Sequence, residues 1–169
     1  MLIVGSLIPL KNVQSMIRAA AHVRSSKVMV IGDGQEMSNL KDLGSDLDVP
    51  IEFMGTIDRE EDLAQAYGGC QFLVHLSLYE PFGLTPLEAA LFSKPSIVTN
   101  HGGPPEVVVD GVTGYVVDPR DHRFIGSKMN ALLNDDTLRR EMGTRAKENI
   151  LQKFTLERST RRLLEEVEK

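Results

Sequence analysis

The stretch from 72 to 88, Phe-Leu-Val-His-Leu-Ser-Leu-Tyr-Glu-Pro-Phe-Gly-Leu-Thr-Pro-Leu-Glu, decides the fold. Residues 72–76 are apolar on both faces except for His75, as a central strand covered on both sides should be. A polar loop follows, with Glu80 between the aromatics Tyr79 and Phe82. Then Thr85, Pro86 and Glu88 give a helix start: a capping hydroxyl, proline at the first position and glutamate at the third. That helix is expected to run to about Phe92. Strand, loop and helix in this order make half of a βαβ unit.

Outward from this stretch, short apolar runs alternate with helical patterns. Strands are expected at 2–4, 28–31, 51–54, 96–99 and 115–117 beside 72–76. Val13, Met16, Ile17, Ala20 and Val23 recur at helical spacing behind Asn12 as a cap. A weaker helical pattern covers 35–43, and Asp58 with Glu61 makes a capping box ahead of Leu63, Ala64 and Tyr67. After Pro119 only helices are expected, at 123–133, 137–153 and 156–169. The alternation predicts an α/β fold, a doubly wound parallel sheet of about six strands. One domain is expected to take in residues 1–169, ending in the C-terminal helices.

Composition narrows the function. With 41% hydrophobic and 25% charged residues the chain is globular in character. Nineteen Lys and Arg against 24 Asp and Glu leave a net charge of −5, which argues against nucleic acid as a partner. A single cysteine, Cys70, cannot close an internal disulfide, and no His/Cys spacing suggests a metal site. No run approaches the ~18 apolar residues of a membrane span. The opening Met-Leu-Ile-Val lacks a basic leader, so a cytoplasmic location is expected. A chain that begins directly in a strand reads as part of something larger.

In an open parallel sheet, ligands bind where the carboxyl ends of strands lead into helices. Four loops there carry suitable residues: 5–12, 32–34, 77–85 and 100–106. A diphosphate at this edge would find amide donors and the positive end of a helix at Gly83, Leu84 and Thr85. Lys11 could reach the same anion as a mobile charge, and Gly102 and Gly103 would leave room for a sugar. Each feature has a plainer reading. Gly32-Asp33-Gly34 is a turn or a ligand loop; VIGDGQEM has Met37 where a dinucleotide fingerprint has its third glycine. From spacing alone, Glu88 is a cap for Thr85, Lys11 a surface charge and His75 a core histidine. Gly111 and Gly114 punctuate a turn.

Taken together these segments resemble the retaining GT-B glycosyltransferases with an E-x7-E motif. Glu80 and Glu88 stand with seven residues between them. VGSLIPLKN resembles that family's G-R-x-x-x-x-K-G, VIGDG its V-x-G-x-G, and IEFMGTI its V-x-F-x-G. GGPPEVVVDGVTGYVVDP is similar to its G-G-x-x-E…G-x-x-G-x-x-V-x-P. The resemblance runs over nearly the whole chain and implies a three-layer, Rossmann-like domain that binds a UDP-, GDP- or ADP-sugar. It implies Glu80 at the donor sugar and Glu88 on the ribose hydroxyls. Amides at Phe82, Gly83, Leu84 and Thr85 would hold diphosphate and sugar, with Lys11 neutralising the leaving phosphate. Gly5 and Ser6 would line the same cradle, and Gly55, Thr56 and Ile57 would lie against the base. No cofactor or metal is expected. An acceptor glycan, lipid or small molecule would be held by an N-terminal half outside these residues, which would also carry any peripheral membrane association.

Two positions depart from the pattern: Ser6 stands where the family has arginine, and Asn12 where it has glycine. Loss of the arginine implies weaker nucleotide binding and admits an alternative, a non-catalytic nucleotide- or sugar-binding domain acting as sensor or partner subunit. A glycosidase would need both acids beside one bond, whereas one of these heads a helix and the other sits in a loop.

Overall fold

The computed structural model describes residues 1–23 and 27–153. Six parallel strands form one sheet: β1 (Leu2–Val4), β2 (Val28–Ile31), β3 (Ile51–Gly55), β4 (Leu73–His75), β5 (Ser96–Thr99) and β6 (Gly114–Val117), in the order β3-β2-β1-β4-β5-β6. β1 pairs with β2 through Leu2–Met29, Ile3–Val30 and Val4–Ile31, and with β4 through Leu2–Leu73. The strand order reverses between β1 and β4, which is where such sheets open a crevice at their carboxyl ends.

Seven α-helices occur among the described residues. They are α1 (Val13–Ala20), α2 (Met37–Asp46), α3 (Glu60–Gly69), α4 (Leu84–Leu91), α5 (Pro104–Val107), α6 (His122–Asn134) and α7 (Asp136–Lys153). Alternation along the strands splits the core in two. Ile3, Val28, Val30, Phe72, Val74 and Ile97 pack with Met16 and Ile17 of α1, Leu40 of α2, and Ile125, Met129 and Leu132 of α6. On the opposite face Leu2, Ile31 and Leu73 meet Tyr67 of α3 and Ala89 of α4. Val98 there meets Val107 of α5 and Ala146 and Ile150 of α7. The result is the expected three-layer, doubly wound sheet.

Several local expectations are corrected. α4 begins after Gly83, whose φ of 97° and ψ of 59° suit glycine, and no side chain caps it. Thr85 lies inside the first turn instead of capping, because its hydroxyl is engaged by the ring of His75. α3 starts after Arg59 with no side-chain cap, so the Asp58–Glu61 box does not form; Glu61 pairs with Arg59 instead. Asn12 does precede α1, but with φ 52° and ψ 38°, and its amide donates to Leu76 O at 3.0 Å and not to the helix. The short α5 was not expected. The helical stripe at 156–169 lies outside the described residues.

Candidate active site

The crevice between β1 and β4 is built by two loops laced together. Leu78 N donates to Leu10 O at 2.9 Å, and the Asn12 amide reaches Leu76 O. Asn12 takes the left-handed turn that glycine would take and adds this tie, for which glycine has no side chain. Its position sends Lys11 across to the β4 loop, where Nζ meets Glu80 Oε2 at 2.6 Å. The structure thus joins two residues chosen separately from the sequence. The lysine assigned to a phosphate faces the carboxylate assigned to the sugar.

Burial raises the Glu80 pKa, but the Lys11 hydrogen bond and charge, the nearby His75 and the Gly83 amide outweigh it. The net effect holds Glu80 below the usual carboxylate range, ionised at neutral pH. His75 lies beneath it, buried, with Nδ1 3.0 Å from Thr85 Oγ1 and Nε2 3.5 Å from Glu80 Oε2. Burial is the main reason its pKa falls to about 4; Lys11 adds to this and Glu80 opposes it. The reading of His75 as a core histidine holds for its burial, but the ring also links the first turn of α4 to Glu80.

Glu88, one helical stretch along α4, takes the hydroxyl of Tyr67 on Oε2 at 2.6 Å. Among the described residues its side chain accepts from Tyr67 and not from the Thr85 amide, so the expected cap does not form. The Tyr67 ring is buried and stacks on Phe92, with centroids 5.7 Å apart. Burial and Glu88 together push the phenol pKa upward. In the sequence Tyr67 is one member of a helical apolar pattern. No local signal marks it, because the partnership is made across two helices 21 residues apart.

Gly83 is buried and leads into Leu84, which is exposed, and Thr85; Phe82 is half-buried beside them. In the β1 loop Gly5 donates to Ile31 O, and Ser6 is exposed. Gly32 belongs to the scaffold. A Cβ there would stand 2.0 Å from Gly5 O, and its amide donates to Gly55 O at 2.8 Å. Gly55, with φ 69°, leads through exposed Thr56 to Ile57, which packs in the Tyr67–Ala89 cluster. The β3 loop and Glu88 thus share one face of the sheet.

Gly102 and Gly103 sit against the loop that carries Glu80. A Cβ on Gly102 would lie 2.3 Å from Glu80 O, and one on Gly103 2.3 Å from Pro81 O and 2.5 Å from Phe82 Cα. The space left by these glycines is filled by the backbone that carries Glu80, and Gly103 N donates to Glu80 O at 2.8 Å. Far from this edge, a cavity of about 440 Å³ lined by Met1, Lys27, Met29, Gln71 and others opens at the amino ends of the strands. Among the described residues no three His, Cys, Asp or Glu side chains gather as a metal site, and no helix is long and apolar enough to cross a membrane.

A doubly wound sheet with a cation, a carboxylate and a helix amino terminus meeting at its switch point is the architecture of the nucleotide-binding α/β domains. Within that class the chain belongs to the glycosyl transferases group 1 family, whose model matches residues 1–149. It is 32% identical to the N-acetyl-alpha-D-glucosaminyl L-malate synthase of Bacillus anthracis over 153 residues, 88% of this chain and 39% of that protein. It is 35% identical to the alpha-1,3/1,6-mannosyltransferase ALG2 of Dictyostelium discoideum over 123 residues, 72% of this chain and 29% of that protein. The chain therefore spans well under half the length of these relatives. Its fold matches the Anabaena protein Alr3699/HepE crystallised with UDP, with a TM-score of 0.88 at 23% identity over 99% of this chain and 48% of that one. It also matches the crystallised C-terminal domain of LpcC, a glycosyl transferase group 1 family protein from Francisella tularensis. That TM-score is 0.81 at 26% identity, over 92% of this chain and 86% of that one.

Proposed function

We propose that this domain binds a nucleoside diphosphate sugar and presents it for transfer to an acceptor held by a further part of the protein. The observation that carries the reading is the meeting of Lys11 and Glu80 at the amino end of α4. In transfer, positive charge develops at the anomeric carbon and negative charge on the departing diphosphate. Fixed donors and a cation beside the diphosphate stabilise that transition state most. The amides of Phe82, Gly83, Leu84 and Thr85 supply donors and the positive helix end. Lys11 supplies the charge, turning from Glu80 to the phosphates and freeing the carboxylate to accept hydrogen bonds from sugar hydroxyls. Glu88, with Oε2 held by Tyr67, offers Oε1 to the ribose.

The acceptor, a glycan, lipid or small molecule, and retention of the anomeric configuration belong to this reading through the family resemblance. UDP is the first nucleotide to test, because the structural neighbour HepE was crystallised with it. Calorimetry of the chain with UDP, GDP and ADP tests the site directly. Binding of one of them, weakened at least tenfold by Glu88→Ala, is expected. Failure of all three at millimolar concentration would refute the reading. Exposed Ser6 in the arginine position favours a second reading, a binding domain without catalysis. Sugar transfer by the full-length protein, lost in Glu80→Ala, decides between them.

A further inference from the structure

Among the described residues, two buried side-chain polar atoms lack a hydrogen-bond partner, His75 Nε2 and Ser77 Oγ. The first is aimed at a functional group. It lies 3.5 Å from Glu80 Oε2, outside the usual N–H···O range of about 2.7–3.2 Å. The other ring nitrogen is committed to Thr85 Oγ1 at 3.0 Å. Two neutral tautomers could satisfy that contact. If Nδ1 carried the proton, the bare lone pair of Nε2 would face an ionised carboxylate. If Thr85 donates to Nδ1, Nε2 carries the proton and points it at Glu80. Electrostatics selects the second arrangement.

From this geometry we infer that His75 is a positioning residue that receives Glu80 when a donor's diphosphate draws Lys11 away. The inference rests on the donor-binding reading for its purpose, but not for its geometry. Glu80 in the free chain is held chiefly by Lys11 at 2.6 Å. A diphosphate competes for that lysine, and the released carboxylate, left with the Gly83 amide in a partly buried site, has lone pairs open to a further donor. The Nε2–H of His75 is within a small side-chain movement of providing one. Because Nδ1 is tied to the first turn of α4, the carboxylate would then be referenced to the helix end proposed to hold the diphosphate. The charged and titratable groups acting on the ring are Glu80 from the β4 loop and Lys11 from the β1 loop.

The test has two arms. Nitrogen-15 NMR of the imidazole in the chain alone should show a neutral Nε2–H tautomer at pH 7. In Lys11→Met, which removes the competing cation, the Nε2–H resonance should move downfield and the His75 pKa should rise. An Nδ1–H tautomer, a protonated ring at pH 7, or no response to Lys11→Met would overturn the inference whether or not any nucleotide binds. In the second arm, calorimetry compares UDP-glucose with UDP. His75→Leu should lower the ratio of the two affinities about tenfold, the loss of one hydrogen bond to a charged group. His75→Gln, which can place an amide donor near Nε2, should recover most of it. An unchanged ratio in His75→Leu, or no recovery in His75→Gln, would refute it. A chain that passes the first arm but binds no nucleotide refutes the donor-binding reading, and with it the handover of Glu80 to His75.

Discussion

Tyr67 and Glu88 lie on different helices, yet the phenol hydroxyl donates to the carboxylate at 2.6 Å while its ring stacks on Phe92. One oxygen of Glu88 is thereby fixed. Tyr67→Phe keeps the stack and removes only the donor. It should cost about 1 kcal/mol of stability and weaken UDP binding about three- to tenfold by loosening the oxygen proposed to face the ribose. Thermal denaturation and calorimetry read the two effects separately, and an unchanged affinity would show that Glu88 needs no such anchor.

Asn12 combines a left-handed backbone with a side-chain bond to the buried Leu76 carbonyl. Asn12→Gly should retain the turn and lose the bond, costing about 1 kcal/mol. Asn12→Ala loses the bond and forces a Cβ into the left-handed region, so it should cost about 2–3 kcal/mol. If the two variants melted alike, backbone conformation would not be part of the asparagine's role.

Gly103 should tolerate no side chain. A Cβ there would meet Pro81 O at 2.3 Å and Phe82 Cα at 2.5 Å, all backbone that cannot step aside cheaply. Gly103→Ala is expected to cost at least about 2 kcal/mol and to displace the loop carrying Glu80, so nucleotide affinity should fall with stability. Wild-type melting would refute the packing described.

Acid should destabilise the chain in a defined window. The folded His75 has a pKa near 4 against an ordinary value of 6.5, mainly because it is buried, so the unfolded chain takes up a proton that the folded one refuses. Its contribution is complete above pH 6.5 and declines as pH falls toward 4, by roughly 3 kcal/mol at the lower end. Glu80, held below its ordinary value, acts in the same sense at still lower pH: its contribution is present above the usual carboxylate pKa and is lost as the pair with Lys11 is protonated. Urea denaturation at pH 7 and pH 4.5 should show the loss, and His75→Leu should flatten it.

Ser6 is exposed in the β1 loop. Ser6→Arg should tighten UDP binding about three- to tenfold, with a steeper salt dependence, since a second cation near a surface-bound diphosphate adds Coulomb attraction that ions screen. Unchanged affinity would count against this loop as part of the phosphate cradle.

Much of the architecture was legible because parallel sheets write themselves as apolar runs between helical patterns; 72–76 announced a central strand, and β4 is one. The ends of elements were less legible. The Thr85-Pro86-Leu87-Glu88 cap failed because His75, ten residues away in sequence, claims the threonine hydroxyl. Lys11 and Glu80 could be chosen singly, but their contact depends on the strand order, which no local pattern contains. Tyr67 escaped notice for the same reason. Gly102 and Gly103 were recognised as spaces, yet what fills them is the chain itself.

The lacing of the β1 and β4 loops, Leu78 to Leu10 and Asn12 to Leu76, has a thermodynamic consequence. A cleft whose walls are already bonded surrenders little chain entropy when a guest arrives, so most of the interaction remains available as affinity. Association should accordingly be accompanied by a small heat-capacity change, unlike the large one of a segment that folds around its partner.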